Sequence, residues 1–94
     1  METILNYIKC VRDEEVVIVK SIIKLLLKYG RVTLIDIREK TNYTFDSNVI
    51  SWSLKRLRSV GLVTYNNRVW YFNNTLMAVV GYQTFQKMLQ SLIS

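Results

Sequence analysis

The sequence contains no histidine and no proline, a single cysteine and only three glycines. Without histidine, and with Cys10 alone, one chain offers neither the ligands of a zinc site nor an internal disulfide. The chain also lacks a glycine-rich phosphate loop, and its carboxylates lie mostly at expected helix caps, which argues against an enzyme. We therefore expect no catalytic residues, no metal and no cofactor, while a disulfide that links two copies through Cys10 stays open.

Acidic residues are missing from the second half of the chain. Residues 1–46 carry eight lysines and arginines against seven acids, a balance of +1, whereas residues 47–94 carry five basic residues and no acid, a balance of +5. A half-chain without carboxylates presents a positive field that nothing local neutralises, and such a field suits a polyanion such as nucleic acid. The five basic residues are Lys55, Arg56, Arg58, Arg68 and Lys87.

Long uninterrupted apolar runs are absent as well. Lys20 and Lys24 interrupt the apolar stretch of residues 16–27, and the uncharged residues 69–86 include asparagines and glutamines that a bilayer interior tolerates poorly. The N-terminus has no signal-peptide pattern. With half of its residues hydrophobic, the chain should form a single cytoplasmic domain over residues 1–94, without a membrane partner.

The first half of the sequence predicts helices and one short strand. We expect Thr3 to cap a short helix, and Asp13 to cap a long helix that ends at Gly30. The stretch "RVT" is a candidate strand. It leads into the helix "LIDIREK", which Thr33 should cap in an imperfect capping box with Asp36. The residues expected to face the core from this helix are Leu34, Ile35 and Ile37.

The second half predicts two helices separated by a β-hairpin. After the turn "TNYTF", Asp46 or Thr44 should cap a helix. The runs "LVTY" and "RVWYF" should form a hairpin with the turn Asn66-Asn67, because asparagine tolerates positive φ. Thr75 should cap the last helix. The expected spans are about 46–60 for the first of these helices, 62–73 for the hairpin and 75–93 for the last helix.

Residues 30–72 carry this order of elements and resemble the winged helix-turn-helix family of DNA-binding domains. The most specific part is "VISWSLKRLRSVGLV", which is similar to the family's junction L-K-x-L-x-x-x-G-L-[VI] between recognition helix and wing. The resemblance implies a mainly α fold with a small β-hairpin (α+β), in which the helix at about 46–60 is the recognition helix and the hairpin is the wing. The turn "TNYTF" lacks the glycine that is frequent there in the family.

A helical wheel at about 100° per residue separates two sides of the predicted recognition helix. Ile50, Leu54 and Leu57 cluster on the side that should face the core. Residues near the N-terminus of such a helix usually contact bases, whereas cations further along contact phosphates. Arg68 at the hairpin tip and Tyr43 in the turn are further candidates. The expected base contacts are Ser47, Asn48, Ser51 and Trp52, and the expected phosphate contacts are Lys55, Arg56 and Arg58.

Several of these residues have a second interpretation. Trp52 either contacts DNA, or covers the core or contacts the hairpin. Arg58 either contacts a phosphate or pairs with Asp36 or Glu39 on the neighbouring helix. Tyr43 either binds a phosphate through its hydroxyl or packs, and Ser47 either contacts a base or is only a first-turn residue.

The last predicted helix is apolar over more surface than a small domain can bury, which favours a homodimer. Flanking helices also build dimers in the PadR-like and MarR-like branches of the family, and compact members are found on archaeal plasmids and viruses. Gly81 should allow close approach of two helices. The residues expected at the dimer interface are Tyr82, Phe85, Met88, Leu89 and Leu92.

The leading hypothesis is a homodimeric protein that binds double-stranded DNA at a palindromic site and regulates transcription. A plasmid-partition adaptor that spreads along DNA uses the same contacts and stays open. The rival class is a winged helix that binds only a protein partner. An acid-free outward face over residues 47–60 discriminates between them, because a protein-docking surface does not require it.

Overall fold

The computed structural model describes residues 13–93, except for the side chains at positions 13, 14 and 92. The expected first helix with its Thr3 cap, and Cys10, lie outside the described residues. Among residues 13–93 the chain forms five helices and a small antiparallel sheet, so the mainly α class with a small β component is confirmed. The elements are α1 (Asp13–Tyr29), β1 (Arg31–Val32), α2 (Leu34–Lys40), α3 (Ser47–Ser59), β2 (Val63–Asn66), β3 (Val69–Phe72), α4 (Asn74–Val80) and α5 (Tyr82–Ile93).

The sheet has β3 in its centre, with β1 and β2 antiparallel on either side. The hairpin turn consists of Asn67 and Arg68, at φ of 52° and 65°, one residue later than expected. Both residues have the positive φ that a type I′ turn requires. The observed register places Tyr65 opposite Trp70, with ring centroids 4.5 Å apart. A turn at 66–67 would instead place Tyr65 opposite Arg68, and the two rings would no longer meet across the strands.

The helix boundaries around α2 and α3 follow from local capping. The backbone N–H of Asp36 donates to Thr33 Oγ1, and the N–H of Thr33 donates to Asp36 Oδ2, each at 3.0 Å, so the predicted capping box is present. Asp46 caps α3 by accepting from the N–H of Asn48 at 2.7 Å. The chain leaves α3 through Gly61, whose φ of 87° favours glycine.

The core lies between α1, the inner sides of α2 and α3, the sheet and α5. Ile50, Leu54 and Leu57 are fully buried, as the helical wheel predicts. Ile37 of α2 is also fully buried, but the expectation that Ile35 points inward is wrong, because its side chain is 63% exposed. At about 100° per residue the two isoleucines lie on nearly opposite sides of the helix.

The expected single helix over 75–93 is two helices, α4 and α5. Gly81 separates them at φ 88°, a conformation that a right-handed helix cannot contain. Its role is therefore to end α4 rather than to bring two long helices together. The cap of α4 is Asn73, not Thr75. After the break, α5 packs on α1, and Phe85 contacts Phe72 edge to face at 5.3 Å between ring centroids.

Asn73 ties three segments together, and we expect its replacement to destabilise the protein. Its Oδ1 accepts from the N–H groups of Thr75 and Leu76, and its Nδ2 donates to the carbonyl oxygen of Gly61 at 2.9 Å. Asn73→Ala removes the cap and the amide bond, so the free energy of unfolding should fall by about 2 kcal/mol in urea titrations. Asn73→Asp keeps the cap acceptor and should cost about half of that. Equal losses in the two variants would contradict the assigned role of the amide.

Candidate nucleic-acid interface

An open groove of about 480 Å³ runs between α3 and the β2–β3 hairpin. We call it the α3–hairpin groove. Its lining contains three cations and no acidic residue. The lining residues are Thr33, Leu34 and Ile35 from the start of α2, Ser51, Leu54, Lys55 and Arg58 from α3, and Tyr65, Arg68 and Trp70 from the hairpin.

Helical spacing explains why α3 presents these side chains to the groove. Ser51, Lys55 and Arg58 are separated by four and three residues, which places them on one side of the helix. Lys55 and Arg58 are exposed. Because Leu54 and Trp70 are buried beneath them, the groove has an apolar floor and a cationic rim.

The hairpin supplies the opposite side of the groove. Its positive-φ turn projects the exposed Arg68 at the tip. Tyr65 lies next to Trp70 on the same face of the hairpin and is 42% exposed. The structure therefore brings together residues that the sequence predicted separately, three on α3 and one in the turn.

Arg56 and Trp52 lie on the other flank of α3, towards α1. Arg56 Nη1 is 3.3 Å from Glu15 Oε2, and its guanidinium carbon lies 4.7 Å from the centroid of the Trp52 ring. Trp52 is 50% exposed, so it does not serve as a lid buried over the core. Arg56 was expected among the phosphate contacts, yet its charge is paired with a carboxylate of α1.

Arg58 has a different environment from Arg56. Among the described residues, Arg58 forms no ion pair with Asp36 or Glu39, whereas Arg56 pairs with Glu15. Its exposed side chain lines the α3–hairpin groove instead. The interpretation of Arg58 as a solvated partner of α2 acids therefore has no support in the geometry.

The N-terminal end of α3 and the preceding turn carry the remaining candidates. Asn48 is exposed, whereas Ser47 is half-buried. Tyr43 is 63% exposed, and the Arg38 guanidinium carbon lies 5.5 Å from its ring centroid. Asn42 and Tyr43 both have positive φ, of 54° and 57°, at about 1 kcal/mol or more each for residues that carry a Cβ. These two residues adopt the left-handed backbone conformation in a turn that contains no glycine.

Three residues were not expected from the sequence, two that line the groove and one that pairs with Arg56. Ile35 and Tyr65 are exposed apolar residues of the groove. The wheel position of Ile35, opposite Ile37, could have indicated that its side chain points outward. Tyr65 could not have been placed beside Trp70, because that contact depends on the register of the hairpin. Glu15 could not have been paired with Arg56 from the sequence, since 41 residues separate them.

The residues expected at a dimer interface divide into two groups. Phe85 and Leu89 are fully buried and Met88 is 9% exposed, all within the single chain. Tyr82 is 64% exposed, and the side chain of Leu92 lies outside the described residues. Among the described side chains of residues 74–93, the large hydrophobic ones that are exposed are Tyr82 and Val79, which is 79% exposed.

No protein-family model, no curated protein and no solved structure matches the chain. Within residues 13–93, no three histidine, cysteine, aspartate or glutamate side chains group to hold a metal ion. None of the helices in this range combines the length and apolar character needed to cross a bilayer.

Proposed function

We propose that this protein binds double-stranded DNA as a winged helix-turn-helix domain, with α3 as the recognition helix and the β2–β3 hairpin as the wing. A homodimer that recognises a palindromic site and regulates transcription is the form in which we expect it to act. The observation that carries the proposal is the α3–hairpin groove, where exposed Lys55, Arg58 and Arg68 converge from two elements and no acid lines the surface.

The dimensions of α3 suit a major groove. Its 13 residues span about 20 Å at 1.5 Å per residue. The exposed amide of Asn48 lies in its first turn, where a recognition helix usually approaches base edges, and an asparagine side chain can bind adenine through two hydrogen bonds. Lys55 lies about two turns further along, where a backbone phosphate is the natural partner.

The order of the elements supports the same proposal. Within residues 13–93 three helices precede the hairpin, and the short strand β1 between the first two pairs with β3 to close the sheet. This arrangement holds the hairpin beside α3, so that both meet one ligand. A surface that contacts only proteins could contain acidic residues. Their absence from the groove therefore favours a DNA ligand.

Binding to a duplex library tests the proposal. We expect selection of a preferred sequence from randomised duplexes, with half-sites about one helical turn apart if two subunits bind. Affinity should fall steeply as salt rises, because each phosphate contact releases counterions. Failure to bind any duplex at low salt would overturn the proposal.

Two single substitutions separate base readout from phosphate contact. Asn48→Ala should relax the sequence preference at one position by about 1–3 kcal/mol of discrimination. Arg68→Ala should weaken all sequences alike and reduce the salt slope by about one. The comparison is read from binding curves on the selected duplex and on single-base variants of it. If neither change alters affinity, α3 and the hairpin are not the contact surface.

A further inference from the structure

Glu15 of α1 contacts Arg56 of α3, and Arg56 in turn contacts Trp52 of α3. We call these three side chains the Glu15–Arg56–Trp52 stack. Glu15 is 9% exposed and accepts from Arg56 Nη1 at 3.3 and 3.4 Å through its two carboxylate oxygens. The Arg56 guanidinium lies 4.7 Å from the Trp52 ring centroid. The half of the Trp52 surface that remains exposed is outside the α3–hairpin groove.

The burial of Glu15 fixes this arrangement. A carboxylate that is nearly removed from solvent becomes strongly destabilising when its cationic partner leaves. Arg56 is therefore held at α1, and its planar guanidinium packs against the indole ring, which restricts the side-chain rotation of Trp52. The Trp52 ring is therefore half exposed and has the Arg56 guanidinium packed against it.

The neighbours of Trp52 indicate what its exposed part would meet. Asn48 lies four residues before Trp52 and Lys55 three residues after it, so all three share the outward side of α3. Both neighbours are exposed and polar. In a major groove the C5 methyl group of thymine is the apolar group on the base edges, and apolar side chains contact it.

We infer that Trp52 reads a thymine methyl group, and that Glu15 is a positioning residue that acts through Arg56 to orient the ring. This inference rests on the proposed function, because it assigns a base specificity to the same α3 surface. It also gives Arg56 a role other than phosphate binding, since Glu15 already neutralises its charge. Thymine specificity therefore depends on a residue of α1.

Uracil substitution supplies a direct test. A duplex selected by the wild-type protein is compared with the same duplex in which uracil replaces thymine and removes only the C5 methyl group. The wild type should bind the uracil duplex roughly fourfold more weakly for each methyl group contacted, the equivalent of one buried methylene-sized group. Trp52→Ala should bind both duplexes equally.

The positioning role is tested with a double variant, Glu15→Gln with Arg56→Met. It removes the ion pair without leaving a buried unpaired charge and nearly preserves side-chain volume. Discrimination between the thymine and uracil duplexes should fall from about fourfold to less than twofold, and the salt slope should stay unchanged. The matched control is Glu39→Gln with Lys40→Met, which removes the same charges from exposed positions of α2 and should keep full discrimination.

The outcomes separate this inference from the proposed function. Equal wild-type affinity for both duplexes, or selected sites without a fixed thymine, would overturn the role of Trp52. Full discrimination in the double variant would overturn the positioning role of Glu15, and a shallower salt slope would show that Arg56 contacts phosphate. Absence of all duplex binding would overturn the proposed function itself and the inference with it.

Discussion

Replacement of Lys55, Arg58 and Arg68 together by methionine should lower affinity for duplex DNA by about 3 to 4 kcal/mol at low salt, or roughly 100- to 1,000-fold. Methionine keeps most of the aliphatic stem and removes the charge, so packing along the groove should change little. The three cations line one acid-free groove and come from two elements. The slope of log affinity against log salt should become shallower by about 2.7, because each phosphate that is no longer neutralised accounts for about 0.9.

A second triple variant controls for net charge. Lys24, Lys28 and Lys87 are exposed lysines of α1 and α5 outside the α3–hairpin groove. Their replacement by methionine lowers the net charge by the same three units. Both triple variants should therefore lose the same long-range attraction to DNA. We expect a change in salt slope of less than about one for this control. Similar losses of affinity in the two variants would mean that total charge, and not the groove, determines binding.

Local rules account for the boundaries of α2 and α3. A capping box needs only Thr33 and Asp36 at a spacing of three residues, and Asp46 caps α3 through its own side chain. The buried face of α3 follows from helical periodicity alone. Such features depend on neighbours within one or two turns, and the sequence contains all of the information that they need.

Features that depend on tertiary contacts could not be predicted. The hairpin turn lies one residue later than turn propensity indicates, and its register places Tyr65 against Trp70, a contact that turn propensity alone does not reveal. The predicted turn used both asparagines, whereas the observed turn uses Asn67 and Arg68. Sequence periodicity alone did not predict the break at Gly81.

The candidate site shows the same division between local and tertiary information. Lys55 and Arg58 were predicted as outward cations of α3, and their helical spacing places them on one rim. Arg56 was assigned to the same group from the wheel, but its position at the flank brings it within reach of α1. Whether a flanking cation faces a ligand or an acid of its own chain depends on which helix packs beside it.

Replacement of Phe85 by alanine should lower the free energy of unfolding by about 3 to 5 kcal/mol. Phe85 is fully buried and packs edge to face on Phe72. A small domain has a total stability of about 5–15 kcal/mol, so this loss should leave part of the protein unfolded at physiological temperature. Chemical denaturation followed by circular dichroism measures the change.

Protein concentration decides whether Phe85 acts in the core or in a dimer interface. The sequence assigned it to a dimer interface, together with Tyr82, whereas the structure buries it within one chain. A core role requires the loss of stability to be the same at about 1 µM and at about 100 µM protein, because no association is involved. Stability of the Phe85→Ala variant that recovers as concentration rises would show that an interface buries the ring.

Tyr82→Ala is the matched control, since Tyr82 lies at the start of α5 and is 64% exposed. It should change the stability of the folded chain by less than about 0.5 kcal/mol. If α5 does associate two subunits, the same change should weaken association in sedimentation equilibrium, because Tyr82 is an exposed aromatic side chain of α5 and lies close in sequence to the exposed Val79 of α4. Loss of stability at Phe85 and loss of association at Tyr82 would then assign Phe85 to the core and Tyr82 to the dimer.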